Sequence, residues 1–239
     1  MTQSKKTALV TGGNRGIGFA ICQGLLTAGF DVFLAARNQE KGQAAVDKLS
    51  TDNNSVQLVE LDLAEDQSIN NAVNSVSQIT DSLAVLVNNA GIYPDLRGSK
   101  GVNILTVSRD LLIKSMNTNA FSPIVITQAF LPLLEKATNP KVINVSSGNG
   151  QLDGLSADVP SYSLSKLALN EATILLADAL QAKNIAVYAM CPGWVKTDMG
   201  GASAPRTPEQ GADTAIWLAT EGTMSESGKF FRNRSEQPY

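Results

Sequence analysis

Residues 7–18 read Thr-Ala-Leu-Val-Thr-Gly-Gly-Asn-Arg-Gly-Ile-Gly, a short apolar run followed directly by a turn with four glycines. The apolar run predicts a buried strand, and the residues from Gly16 onward predict a helix. Glycine permits a tight turn with close approach to the backbone, and a helix N-terminus favours negative charge. The segment therefore predicts a strand–turn–helix unit that binds a phosphate group.

The spacing of these glycines narrows the kind of loop. Gly12, Gly16 and Gly18 follow the pattern Gly-x-x-x-Gly-x-Gly rather than the common dinucleotide pattern Gly-x-Gly-x-x-Gly. A Walker A loop is excluded because Phe19 stands where that motif requires lysine. A purely structural turn is the alternative interpretation, and the strand–turn–helix context favours nucleotide binding.

Short aliphatic runs alternate with longer amphipathic stretches along the rest of the chain. Strands are predicted at residues 7–11, 31–36, 56–61, 83–87, 141–145 and 185–190, and helices at 16–28, 40–49, 67–79, 108–117, 123–135, 162–182 and 208–219. This order implies parallel strands joined by right-handed crossovers, with helices on both sheet faces. No repeat or linker divides the sequence, so we expect residues 1–239 to form one α/β domain, a doubly wound Rossmann fold with a mostly parallel sheet.

The composition excludes several classes of protein. The sequence has no histidine, which excludes Ser-His-Asp and Cys-His centres and His-ligated zinc, and we expect no metal. A net charge of −3 without a basic cluster argues against nucleic acid, and no apolar run reaches the ~18 residues that span a membrane. Residues 1–6 show no signal or transit segment, and two cysteines cannot form a disulfide framework. We therefore expect a cytoplasmic protein.

The residue after the second predicted strand indicates which dinucleotide binds. In such folds a carboxylate about 20 residues beyond the glycine loop binds the ribose hydroxyls of NAD. Arg37 stands at this position, 19 residues after Gly18, and Asp31 lies at the other end of the strand. A guanidinium suits the 2′-phosphate of NADP, and Arg15 in the loop can reach the same group. We expect NADPH or NADP⁺, the alternative being that both arginines are solvated surface charges.

A tyrosine and a lysine in the sixth predicted helix are candidates for the reacting centre. Tyr162 and Lys166 are four residues apart and therefore lie on one helix face, although a surface pair would show the same spacing. Polar clusters also follow three neighbouring predicted strands, at residues 88–91, 146–147 and 191–193. Because the carboxyl ends of parallel strands meet at one edge, where α/β folds bind ligands, we expect these groups to form one site.

This combination resembles the short-chain dehydrogenase/reductase family, and within it the NADPH-dependent carbonyl reductases. The resemblance covers nearly the whole chain. It rests on residues 11–18 and 88–91, on Asn119, Ser147, Tyr162 and Lys166, and on Pro192 and Gly193. Residues 191–201 and 228–232 are similar to the carbonyl reductases in particular. One departure is that only 14 residues separate the serine from the tyrosine, where some animal members carry a long insertion.

The resemblance implies a catalytic set of Asn119, Ser147, Tyr162 and Lys166. Tyr162 would protonate a carbonyl oxygen as hydride arrives from the nicotinamide, and Ser147 would donate a hydrogen bond to that oxygen. Lys166 would hold the nicotinamide ribose and, with the oxidised cofactor, lower the pKa of the phenol. Asn119 would hold a water in a proton relay. Asn117 is a competitor for that last role.

The resemblance also implies a set of cofactor contacts. They are Gly12, Asn14, Arg15, Gly16, Ile17, Gly18, Arg37, Asp62, Leu63, Asn89, Ala90, Gly91, Tyr162, Lys166, Pro192, Gly193, Val195 and Thr197. Asp62 would contact the adenine amino group and Thr197 the nicotinamide carboxamide. Ser146 is the alternative to Ser147, and the family favours the second serine of the pair.

The expected function is hydride transfer from NADPH to an aldehyde, ketone or quinone, reversible with a secondary alcohol. An oxidising dehydrogenase and a catalytically silent NADP-binding regulatory protein are the alternatives, since fold alone does not establish activity. The intact catalytic set favours the enzyme. Residues 194–208 are predicted to form a mobile lid over the carbonyl site. Trp194 and Met199 suggest an apolar pocket there, and they fit equally well as packing residues.

Two predicted helices, residues 119–135 and 162–182, suggest self-association. They carry more apolar residues than one core-facing stripe needs, namely Phe121, Ile124, Phe130, Leu131, Leu164, Leu167 and Leu175. No insertion before Tyr162 covers them. We expect a homodimer or homotetramer with two-fold symmetry, the alternative being that all these residues face the sheet.

Overall fold

The first strand is buried along its whole length, as expected of an apolar run inside a doubly covered sheet. The computed structural model describes residues 6–52, 54–95 and 102–239, so residues 1–5, which carry most of the N-terminal segment considered above, lie outside the described part. Within it the strands are β1 (Thr7–Thr11), β2 (Asp31–Ala36), β3 (Val56–Glu60), β4 (Val85–Asn88), β5 (Lys141–Val145), β6 (Ala186–Met190), β7 (Phe230–Arg232) and β8 (Ser235–Gln237).

Helices connect these strands. They are α1 (Gly16–Thr27), α2 (Gln39–Leu49), α3 (Asp66–Ser77), α4 (Arg109–Met116), α5 (Ser122–Leu134), α6 (Pro160–Leu180) and α7 (Pro208–Glu221). A π-helical turn, Asn117–Phe121, joins α4 to α5. No helix among the described residues combines the length and hydropathy needed to cross a bilayer.

The strands form one sheet in the order β3-β2-β1-β4-β5-β6-β7-β8. All neighbours pair in parallel except β7 and β8, which are antiparallel. The order runs outward from β1 in both directions, so the carboxyl ends of β1 and β4 lie together at the centre of one edge. This is the doubly wound α/β fold predicted from the sequence, and its central crevice is where such folds bind ligands.

Alternate residues of each strand pack into two apolar layers. Ala8 and Val10 face a layer that includes residues of α1, α2 and α7, whereas Leu9 faces a layer with residues of α3, α5 and α6. Phe130 of α5 is fully buried in the second layer. Its prediction as part of an open surface is therefore wrong, because Ile126, Phe130 and Leu134 recur every four residues on the sheet-facing side of α5.

Candidate active site

The turn between β1 and α1 needs glycine at several positions. Gly12 and Gly16 have φ angles of +65° and +54°, in the left-handed region that side chains disfavour. A Cβ atom at Gly18 would lie 2.3 Å from the carbonyl oxygen of Gly12, so the first turn of α1 approaches the loop only without a side chain there. Asn14 is half-buried beside them. This cradle gives the close backbone approach that a pyrophosphate needs, and it fits a dinucleotide.

The end of β4 holds the cradle in place. The Thr11 hydroxyl accepts hydrogen bonds from the backbone N–H groups of Asn89 and Ala90, both at 3.0 Å. The Asn89 side chain donates to the backbone oxygens of Thr11 and Gly12, at 2.9 and 3.3 Å. The predicted contacts Gly12, Asn89 and Ala90 are therefore direct neighbours across the sheet edge.

The first turn of α1 presents backbone N–H groups. Among the described residues no side chain caps α1, whereas Asn38 and Ser108 cap α2 and α4. Arg15 precedes α1 and pairs with Asp198 in the segment after β6. Both side chains are largely exposed, so the ion pair is weak and the guanidinium can exchange the carboxylate for a phosphate.

Three further predicted contacts lie after the strands next to β1. Arg37 directly follows β2 and is exposed. Asp62 and Leu63 follow β3 and are half-buried. Asp62 Oδ1 accepts a hydrogen bond from the backbone N–H of Ala64 at 3.0 Å, which fixes the carboxylate near the strand end. All three residues thus belong to the same carboxyl edge as the glycine turn.

The phenol of Tyr162 lies on the other side of the central crevice, in the first turn of α6. It is buried and hydrogen-bonded to Ser147, which follows β5. Burial raises the pKa of the phenol well above its ordinary value, and the hydrogen bond with Ser147 opposes this rise. Cys191 and Tyr93 also raise the pKa of the phenol.

Lys166 is buried one turn beyond the tyrosine. Its Nζ donates to the backbone oxygen of Val145 at 2.8 Å and lies 5.8 Å from the centroid of the Tyr162 ring. Burial lowers the pKa of Lys166 to about 8, with Cys191 acting in the opposite direction. In the protein alone burial raises the pKa of the phenol, and the lowering expected from Lys166 together with the oxidised cofactor stays a prediction.

The geometry separates the two pairs of candidates that sequence reasoning left open. The Ser146 hydroxyl is buried and donates to Asn170 Oδ1 at 2.6 Å, so this side chain is committed behind the site. Asn117 is exposed, whereas Asn119 is fully buried. The structure therefore brings Ser147 and Asn119, rather than their neighbours, toward the tyrosine and lysine.

The Asn119 amide joins three segments of the site. Its Oδ1 accepts from the backbone N–H of Ile92, and its Nδ2 donates to the Ile92 oxygen and to Ser165 Oγ, all at 2.8–2.9 Å. The Ser165 hydroxyl donates in turn to the Tyr162 backbone oxygen at 2.7 Å. A Cβ atom at Gly91 would lie 3.1 Å from Asn119 Oδ1. Both amide N–H groups are thus used by protein partners, so any relay water at Asn119 must bind another of its atoms.

The segment after β6 closes the crevice toward the glycine turn. Pro192 and Gly193 lead into Val195, which is buried and pairs with Arg206 in an isolated parallel bridge. A Cβ atom at Gly16 would lie 3.1 Å from Thr197 Cγ2, so Thr197 packs beside the turn.

The start of α7 packs against this segment and against α1. A Cβ atom at Gly211 would lie 2.7 Å from Val195 and 3.4 Å from Ile17. The Trp194 ring is largely exposed, and its Nε1 donates to the Gly200 oxygen at 2.7 Å. The base of the predicted lid is therefore a folded loop, and its mobility stays a prediction.

Sequence reasoning did not identify two residues that touch Tyr162. The Tyr93 ring stacks on the Tyr162 ring with centroids 4.2 Å apart. The Asp95 carboxylate is buried and accepts a hydrogen bond from the Tyr162 backbone N–H at 3.4 Å. Both lie in the loop after β4. Their position shortly after the motif at residues 88–91 is the one sequence signal that could have indicated them.

A doubly wound sheet with this glycine turn, and with a buried tyrosine and lysine beside a half-buried serine at the same edge, defines a Rossmann-fold oxidoreductase. The model of the short chain dehydrogenase family matches residues 6–207. The chain is 35% identical over 237 residues to the short-chain dehydrogenase anuI of Penicillium roqueforti. The match covers 93% of this chain and 92% of that protein. The chain belongs to the short-chain dehydrogenase family.

Carbonyl reductases are among its relatives. The chain is 32% identical to carbonyl reductase (NADPH) 1 of Mus musculus over 100% of both chains. The NADPH-bound carbonyl reductase from chicken fatty liver has a similar structure, with a TM-score of 0.89 at 28% identity, and the match covers 99% of this chain and 100% of that one.

Proposed function

We propose that this protein uses NADPH to reduce the carbonyl group of an aldehyde, ketone or quinone to an alcohol. The observation that carries the proposal is the buried Tyr162 phenol, hydrogen-bonded to Ser147 with Lys166 one helical turn away. This group lies at the same sheet edge as the glycine cradle between β1 and α1. Similarity to carbonyl reductases of mouse and chicken supports the substrate class.

Tyr162 acts as the general acid in this proposal. The bound cofactor supplies the hydride that adds to the carbonyl carbon. As negative charge develops on the carbonyl oxygen, the phenol donates its proton and a C–OH group forms. Ser147 donates a hydrogen bond to the same oxygen, in a buried site where such a bond is stronger than in water. The raised pKa keeps the phenol protonated before the reaction.

Lys166 then helps to restore the proton on Tyr162. With a pKa of about 8, its amine exchanges protons readily near neutral pH, unlike an ordinary lysine. In its charged form the amine also stabilises the phenolate that remains after proton transfer. Asn119 fixes the loop at Ile92 and, through Ser165, the backbone of Tyr162, so its part is to hold this geometry.

The two arginines favour NADPH over NADH. Arg37 follows β2 at the position where NAD-binding folds carry an acid, and it is exposed and positively charged. Arg15 lies within the glycine turn and pairs with the carboxylate of Asp198, which a phosphate can replace. Charge-assisted hydrogen bonds from guanidinium to phosphate are about twice as strong as neutral ones.

We propose that Tyr93, Trp194 and Met199 form two apolar sides of the substrate pocket. Tyr93 covers one face of the Tyr162 ring, and Trp194 and Met199 are partly exposed in the segment after β6. Aromatic and thioether side chains favour flat, apolar carbonyl compounds over sugars or charged acids. We therefore place aromatic aldehydes, ketones and quinones first among the substrates.

We further propose that two copies of the chain associate through α5 and α6. Phe121, Val125, Leu164 and Leu175 leave 36–62% of their surface exposed. Phe121 and Val125 are one helical turn apart, and Leu164 and Leu175 are three turns apart, so each pair shares a face. A second copy of this face is the self-complementary partner that two-fold symmetry provides.

The compartment that suits this protein is the cytoplasm. Cys22 and Cys191 are both free and buried. Burial raises the pKa of the Cys22 thiol strongly, which keeps it in the unreactive thiol form. Free thiols of this kind are typical of a reducing compartment.

The test is NADPH consumption, followed at 340 nm, with a panel of aldehydes, ketones and quinones. Replacing Tyr162 by phenylalanine removes the proton donor alone and should lower kcat by about 10²- to 10⁴-fold, because general acid catalysis contributes that much. NADPH affinity, measured by fluorescence, should stay within about twofold, since the ring remains. Tyr188→Phe is the matched control, because it removes another buried hydroxyl, which donates to Thr223.

The control should keep its kcat. Wild-type kcat in Tyr162→Phe would contradict the mechanism. Binding of NADPH without turnover of any panel member would favour a silent nucleotide-binding protein instead.

A further inference from the structure

The helix that carries Tyr162 begins without a cap of its own. Val159 precedes α6 with φ +53°, a left-handed conformation that is unfavourable for a β-branched residue, and its side chain cannot accept a hydrogen bond. Pro160 follows at the first helical position and has no N–H group. The first N–H groups that need partners are therefore those of Ser161 and Tyr162 itself.

A carboxylate from another part of the chain supplies this cap. Asp95 Oδ2 accepts hydrogen bonds from the backbone N–H of Ser161 at 2.6 Å and from that of Tyr162 at 3.4 Å. Asp95 is only 1% exposed, and its Oδ1 has no hydrogen-bond partner among the described residues. A negative charge at a helix N-terminus is favourable, and burial strengthens the interaction.

The loop of Asp95 is itself tied to the site. The Asn119 side chain bonds to both backbone groups of Ile92, three residues earlier. Tyr93, between them, stacks on the Tyr162 ring at 4.2 Å. The loop after β4 therefore holds Tyr162 twice, by its ring and by its backbone.

The groups around the phenol come from four parts of the described chain. Lys166 lies on α6 itself, Ser147 follows β5, Cys191 follows β6, and Tyr93 and Asp95 come from the loop after β4. Asp95 is the carboxylate among the groups that raise the pKa of the phenol, and the hydrogen bond of Ser147 lowers it. Removing the charge of Asp95 alone should therefore make the phenol easier to ionise.

We propose that Asp95 is a positioning residue for the reaction, which fixes the start of α6 and thereby the Tyr162 phenol relative to Ser147. The proposal rests on the proposed role of Tyr162 as general acid. Asp95 acts through the backbone at the start of α6, 66 residues away in sequence. In the proposed mechanism it contacts neither the hydride donor nor the carbonyl group. Small displacements of a reacting group are costly, with about 10²-fold lost per 1 Å.

Two variants separate the cap from the charge. Asp95→Ala removes the acceptor, and kcat for NADPH-dependent reduction of para-nitrobenzaldehyde should fall by about 10-fold or more. The Kd for NADPH should stay within about twofold, because the glycine cradle is untouched. Asp95→Asn keeps an acceptor oxygen and should keep most of the kcat.

The Asn variant carries the decisive readout. Because it keeps the acceptor and loses only the charge, its kcat should be about fivefold or more above that of Asp95→Ala. The matched control is Ser108→Ala, which removes the side-chain cap of α4, a helix that packs against α6. It should lower Tm while leaving kcat unchanged.

Three results would overturn the proposal: wild-type kcat in Asp95→Ala, a kcat in Asp95→Asn no higher than in Asp95→Ala, or the same loss of kcat in Ser108→Ala. If Asp95→Ala does not fold, Asp95→Asn decides by its kcat, and a loss as large as that of Tyr162→Phe would overturn the proposal. Tyr162→Phe measured alongside keeps the two hypotheses apart. Wild-type kcat in that variant refutes the general acid, whereas an inactive Tyr162→Phe with a wild-type Asp95→Ala refutes only the role of Asp95.

Discussion

Replacing Gly150 by alanine should displace the catalytic helix without touching a reacting group. Gly150 lies in a 3₁₀ turn, Gly148–Gly150, that packs directly on α6. A Cβ atom there would lie 2.6 Å from the carbonyl carbon of Lys166 and 2.8 Å from its oxygen. These are backbone atoms in the middle of a helix, so no side-chain rotation can relieve the contact.

The size of the displacement follows from these distances. Ordinary van der Waals contact begins at 3.4 Å, so the new methyl group is about 0.8 Å too close. The turn cannot retreat freely, because the Gly150 oxygen accepts from Asn170 Nδ2 at 3.0 Å and its N–H donates to Ser147. Part of the 0.8 Å must therefore appear as a shift of α6 at Lys166. With about 10²-fold lost per 1 Å, kcat should fall by about 5- to 40-fold.

The assay is steady-state NADPH consumption, with unfolding in urea to measure stability. Overpacking should cost about 1–3 kcal/mol, which leaves a folded protein. Gly148→Ala is the matched control in the same turn, because its Cβ would meet nothing nearer than 3.4 Å. It should keep most of the activity. Equal kcat values for the two variants would refute the argument that α6 is held by steric contact with this turn.

Three further predictions concern the cofactor, stability and assembly. Arg37→Asp should lower kcat/KM for NADPH by about 10- to 100-fold and raise the relative use of NADH, measured as a ratio, since a charged hydrogen bond is lost; an unchanged ratio would contradict this. The pKa of Lys166 is about 8 when folded, below its ordinary 10.5. Between these values the unfolded chain binds the extra proton, so the free energy of unfolding rises with pH, and urea titrations of Lys166→Met should show a smaller rise. Leu175→Glu should shift the oligomer to monomer in light scattering, and a monomeric wild type would refute the interface.

The main elements of the fold could be predicted because their signals are local. The six long strands are apolar runs, and their predicted positions agree with the structure to within two residues at each end. Strands β7 and β8 have three residues each, too few for a periodicity, and they form only because β6 presents an edge. The π-helical turn at Asn117–Phe121 likewise has no sequence signal, since its register depends on how α4 and α5 pack.

The site could be predicted where one segment carries both the residue and its context. Tyr162 and Lys166 share a helix face, and the glycine turn follows its strand directly. Asp95 could not be predicted, because its partners at the start of α6 are 66 residues away and nothing in its own neighbourhood indicates a cap. The raised pKa of the phenol was missed for a related reason. Burial is a property of the packed structure, and spacing shows only which charges are near.

Strand β8 has a consequence for how this sheet behaves in concentrated solution. It runs antiparallel beside β7, whose Phe230 and Phe231 are buried, and it carries Glu236 paired with Lys229. The Tyr239 ring stacks on Phe230 with centroids 5.7 Å apart. An uncovered apolar strand at a sheet margin is a template for intermolecular pairing and fibril growth. Because the strand at this margin has only three residues and a charged side chain, it offers another chain a short and charged edge, so edge-to-edge pairing is disfavoured here.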